Sequence, residues 1–172
     1  HLGQAGVAFV GDYSYFGFAS PINGSRYRLG VDGTVGTLNF ATVTADYRKY
    51  MMMRTGILPD RMPVTLAARA LHYGRYLGDA DQNVLYPLYL GYGSLVRGYS
   101  FNSFDNDAFA AFENRLFGSR MGVGSVELRM PLLGTPQLGL LSFPYLPTEL
   151  TFFGDAGVAW GLATRNPLGE SV

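Results

Sequence analysis

A two-residue rhythm of polar and apolar side chains, held over stretches of about ten residues or more, constrains this chain more than any other feature. In RYRLGVDGTV, Arg26, Arg28, Gly30, Asp32 and Thr34 fall on one face of an extended strand. Tyr27, Leu29, Val31, Gly33 and Val35 fall on the other, because successive side chains of a strand point to opposite sides. The rhythm repeats where Thr42, Thr44, Asp46 and Arg48 oppose Val43, Ala45, Tyr47 and Lys49, and where Ser125, Glu127 and Arg129 oppose Val126, Leu128, Met130 and Leu132. It holds where Asp12 and Ser14 oppose Phe9, Tyr13 and Tyr15, and where Thr151 and Asp155 oppose Leu150, Phe152, Val158 and Trp160. In MPVTLAARALHYGRYL, Met62, Val64, Leu66 and Ala68 oppose Thr65 and Arg69 before the pattern blurs at Leu71.

The pattern predicts about six strands, over 4–17, 24–36, 39–52, 62–77, 119–132 and 148–161. Strands of soluble sheets usually run ~5–6 residues, whereas tilted membrane strands need ~9–11. Length therefore favours an all-β fold, an antiparallel transmembrane β-barrel with its apolar face towards lipid and its charged face lining the lumen. Alternation alone also fits a soluble lipid- or ligand-binding β-protein whose apolar face turns inward. Aromatic residues near the strand ends, among them Tyr27, Tyr47, Tyr50, Tyr73, Tyr76 and Trp160, favour the barrel, where such rings form interfacial girdles. No run reaches the ~18 apolar residues of a membrane helix.

The 13 basic and 13 acidic side chains balance, which speaks against a nucleic-acid partner. The absence of Cys removes disulfides and thiolate metal sites without fixing the compartment. Turns are expected at 18–23, 36–38, 53–61 and 133–147, where Gly and Pro gather. The link 78–118 is far longer than the ~12–15 residues above which a loop is usually functional. It carries GYGSLVRGY, with Arg97 in an otherwise uncharged run.

That loop motif, Val96-Arg97-Gly98-Tyr99, resembles the Val-Arg-Gly-Phe/Tyr motif of the BamA-like superfamily, the outer-membrane protein assembly factors and two-partner-secretion transporters, or bacterial surface antigen barrels. GVGSVELRMPL and ELTFFGDAGVAW resemble the two strands that follow the motif in that family, in the same order, so the likeness spans about residues 85–161. The resemblance implies a fragment holding about the eighth to thirteenth strands of a sixteen-stranded barrel, with loop 78–118 folded into the lumen. It implies that Arg97 latches onto Glu127 and Asp155, two acids that the alternation independently places on the charged face. Guanidinium suits this task, since its planar fork can bond two carboxylates where an ammonium is a point charge. Gly98 lets the backbone turn tightly, and the Tyr99 ring would pack against the wall.

The same resemblance implies a non-enzymatic role in a bacterial or organelle outer membrane: inserting or translocating polypeptides. Its partners would be outer-membrane lipids, unfolded outer-membrane or secreted polypeptides, and the rest of the same barrel or a larger membrane complex. The alternative is a passive channel or a barrel anchor for another domain. No cofactor or metal is expected. Asp79, Asp81 and Asn83, and Asp105 and Asp107, lack the turn glycine and terminal acid of a calcium loop, and read as polar loop residues. His1 and His72 are the only histidines; His72, beside Tyr73, reads as an interfacial residue. Met51, Met52 and Met53 read as flexible apolar surface. No nucleophile elbow, phosphate loop or paired-carboxylate cleft is present. With His1 rather than Met first, and no basic-then-apolar leader, the whole of 1–172 is expected to be a mature or excised piece of one barrel domain.

Overall fold

The computed structural model describes residues 1–54, 56, 63–82, 84–98 and 116–161. In chain order these form β1 (Leu2–Asp12), β2 (Tyr15–Phe16), β3 (Pro21–Gly36), β4 (Phe40–Met53) and β5 (Val64–Tyr76). After them come β6 (Leu88–Tyr89), β7 (Phe117–Gly118), β8 (Arg120–Gly134), β9 (Leu141–Ser142) and β10 (Thr148–Trp160). The six long strands pair antiparallel in the order β1-β3-β4-β5-β8-β10. The fold is thus all-β, a chain of hairpins in which β5 meets β8 across the long loop, from Thr65 opposite Arg129 to Gly74 opposite Arg120. The sheet is open: among the described residues β1 and β10 each pair with a long strand on one side only.

Register turns the sequence rhythm into two distinct faces. One row runs Asp12, Arg26, Arg48, Arg69, Ser125, Asp155 across all six strands. A row on the opposite face runs Phe9, Leu29, Ala45, His72, Gly122, Val158. Phe9, Leu29 and Val158 are 66%, 49% and 58% exposed, so the apolar face is bare while the charged face carries the loop. An enclosed apolar core would bury these side chains; a lipid-facing wall leaves them in this condition. His72 lies on the bare face, stacked on Trp160 with ring centroids 5.7 Å apart and with Nε2 2.7 Å from the Tyr76 hydroxyl.

The ends of the elements depart from expectation in three places. The strand expected over 4–17 breaks after Asp12, because Oδ1 of Asp12 accepts hydrogen bonds from both the amide (3.1 Å) and the hydroxyl (2.5 Å) of Ser14, a local turn that competes with the ladder. β3 begins at Pro21, inside the expected turn 18–23. β8 runs on to Gly134, where the two-residue β9 adds to it in parallel. Met62, at the predicted start of β5, lies outside the described residues.

Candidate functional site

The long loop is closed at its base by a small ribbon. Leu88 and Tyr89 of β6 pair with Gly118 and Phe117 of β7, and the Leu90 amide donates to the Leu116 carbonyl at 2.9 Å. Tyr89 packs edge-on to Tyr92 and against Phe117, at centroid distances of 5.2 and 4.9 Å. Beyond the ribbon the amides of Leu95 and Val96 both donate to the Tyr92 carbonyl, at 2.8 and 3.1 Å. This single tight turn directs Val96 and Arg97 at the charged face.

What receives them is an apolar patch on that face where β5, β8 and β10 run side by side, near the start of β8. Leu90, Val96, Leu116 and Val123 are buried together, with Leu71, Met121 and Ala159 packed around them. Leu71, Val123 and Gly157 are in register on β5, β8 and β10, so the wall supplies two aliphatic side chains and then a gap. A Cβ at Gly157 would stand 2.9 Å from one Leu90 methyl and 3.0 Å from a Val96 methyl. The glycine therefore makes room for the loop. Gly157→Val is expected to overpack this contact and weaken loop docking by about 1–3 kcal/mol, read as faster proteolytic cleavage within 78–118 of the folded protein.

Arg97 stands at the edge of this patch. Its Nε and Nη2 each donate to Asp155 at 2.8 Å, and its backbone amide donates to the same carboxylate at 3.0 Å. Nη1 lies 2.6 Å from Glu127 Oε1. The other oxygen of Glu127 is held by Arg129, at 2.7 Å from Nε and 2.5 Å from Nη2. The Phe153 ring lies under the guanidinium, 3.9 Å from its carbon, where the negative face of the ring attracts the cation. Hydrogen bonding to Asp155, and then to Glu127, raises the Arg97 pKa above its ordinary value, so the group stays charged at any working pH. The Asp155 side chain is only 2% exposed, and every oxygen it presents is met by Arg97.

The structure thus brings Val96, Arg97, Glu127 and Asp155 together, with Arg97 bridging the strands on which the two acids stand. Gly98 follows at φ +93°, and nothing lies within 4 Å of where its Cβ would be. The constraint at Gly98 is conformational rather than steric. Gly98→Ala is expected to cost about 1 kcal/mol or more through that positive φ, seen as a lower melting temperature of loop protection in hydrogen exchange. Tyr99, Asn83, Asp105 and Asp107 lie outside the described residues. Asp79 instead accepts from the Asn39 amide at 2.7 Å, and Asp81 pairs with Ser119 and with Arg120. These contacts tie the start of the loop to the neighbouring hairpin and to the start of β8. Among the described residues no three His, Asp or Glu side chains converge as metal ligands would.

Sequence reasoning missed Leu90, Leu116, Val123 and Gly157. Gly157 and Val123 left a usable signal: one stands two residues after Asp155 and the other two before Ser125, so each had to share the polar face. The sequence matches the model of one protein family, the Omp85 superfamily domain, over residues 17–172. No curated protein and no solved structure matches the chain.

Proposed function

Because the chain belongs to the Omp85 superfamily, we propose that it forms part of an outer-membrane β-barrel that inserts or translocates polypeptides, with the long loop latched inside the lumen by Arg97. The observation that carries this reading is the grip of Asp155 and Glu127 on one guanidinium, on the same face where Leu90 and Val96 seat the loop. Such a grip fixes the loop on the wall facing any passing chain.

The open edges of β1 and β10 call for further strands, since unpaired backbone donors and acceptors cannot stand in hydrocarbon. Those strands come from the rest of the barrel, and a substrate strand would be handled by the same edge chemistry, strand addition. Outer-membrane lipids contact the bare apolar face. The full-length protein in liposomes, offered an unfolded outer-membrane protein, is expected to raise the fraction of substrate that becomes heat-modifiable and protease-resistant. Ion conductance with no gain in substrate folding or transport would instead mark a passive channel.

A further inference from the structure

Beside the latch, the loop tip and the wall enclose an open cavity of about 260 Å³, lined by Arg48, Arg69, Arg97, Arg129, Ser125 and Glu127 among others. Charge is not evenly matched around it. Arg97 and Arg129 face Glu127 and Asp155, two cations against two anions. Arg48 and Arg69 share one carboxylate: Asp46 accepts a fork from Arg48 at 3.2 and 2.9 Å and another from Arg69 at 3.3 and 3.0 Å. Among the described residues Arg28, opposite Asp46 on β3, has no ion pair, and Arg26, beside Arg48 in the register, reaches only Asp12, at 3.6 Å.

Four arginines on three adjacent strands therefore have two acids between them. Like charges directly opposite in a ladder repel, as Arg48 and Arg69 are, and with side chains 37% and 25% exposed water screens that repulsion only in part. Of these four, Arg48 and Arg69 line the cavity with the single carboxylate of Asp46 between them, and their planar forks match a carboxylate or phosphate in geometry as well as in charge.

We propose that Arg48 and Arg69 form an oxyanion-binding site on the charged wall, taking a carboxylate or phosphate group that enters the cavity between them and the loop tip. The site rests on the reading of this face as the lumen, but not on polypeptide insertion as the activity. Asp46 acts within it as a resident competitor that occupies one edge of each guanidinium. A free oxyanion and a carboxylate carried on a peptide share the required chemistry.

The test is calorimetric titration of the full-length protein in detergent micelles at low salt, with inorganic phosphate in one arm and a tetraglutamate peptide in the other. Saturable binding of at least one probe is expected, weakened about tenfold or more in Arg48→Gln/Arg69→Gln. Asp46→Asn is expected to tighten binding, because it frees both forks; a purely structural triad would show no such gain. Binding of phosphate alone identifies a free-anion site, and tighter binding of the peptide identifies side-chain carboxylates as the ligand. Lack of saturable binding of both probes overturns the proposal, as does affinity unchanged in the double variant while loop protection in hydrogen exchange stays intact.

Discussion

Arg97→Ala is expected to release the long loop from the wall while leaving the six-stranded sheet paired. The Asp155 side chain is 2% exposed and takes three hydrogen bonds from Arg97; truncation leaves its carboxylate with only the backbone amide of residue 97 and, across the ladder, Ser125. Breaking a buried pair costs about 3–5 kcal/mol. Because the Arg97 side chain is itself 34% exposed, the expected loss is nearer 2–3 kcal/mol. That corresponds to about a thirty- to hundred-and-forty-fold rise in the undocked population. Limited proteolysis of the folded full-length barrel reads it directly, as faster cleavage within 78–118. Arg97→Lys is expected to recover only part of the loss, since an ammonium serves one acid where the fork serves two. Cleavage at the parental rate in Arg97→Ala would show that the apolar patch alone seats the loop.

The second large effect lies on the other face. Leu29→Arg, near the middle of β3, is expected to destabilise the membrane-embedded barrel by about 2–4 kcal/mol, the cost of a cation near the bilayer midplane. Leu29 is half-exposed between Phe9 and Ala45, with no acid beside it in the ladder. Thr44→Arg, on the adjacent strand but pointing the opposite way, is expected to cost less than about 1 kcal/mol, because that face is wet and already polar. Folding of both variants into lipid vesicles, followed by the heat-dependent shift of the barrel on a gel, separates them. Equal loss in the two would contradict the sidedness on which the lipid-facing assignment depends.

Much of this architecture was legible in the sequence because a strand has period two and a wall between lipid and lumen enforces it residue by residue. The predicted spans of β3, β4, β5, β8 and β10 fall within three residues of those observed. β1 was overextended because Asp12 and Ser14 fit the alternation equally well as strand or as turn, and only their mutual hydrogen bonds distinguish the two. That Glu127 and Asp155 share a face followed from the alternation, while their approach to Arg97 rested on a family resemblance, since nothing periodic links a loop residue to a strand some thirty or sixty positions away. The docking patch was opaque for the same reason. Leu90, Val96 and Leu116 carry no spacing that marks them, and Leu71 and Val123 are among the positions where apolar side chains interrupt the polar face. The blurring of the pattern at Leu71 was the trace of that patch: an exception to the rhythm where the wall faces protein instead of water.

The acids that hold Arg97 both stand on strands that come after it in the chain, one on β8 and one on β10. During synthesis the guanidinium is therefore made before anything exists for it to grasp, and it has no home until the final hairpin of this sheet has closed in correct register. A slip of one residue between β8 and β10 would turn Asp155 to the greasy side and leave the loop adrift. The order of events this predicts is sheet first, loop last.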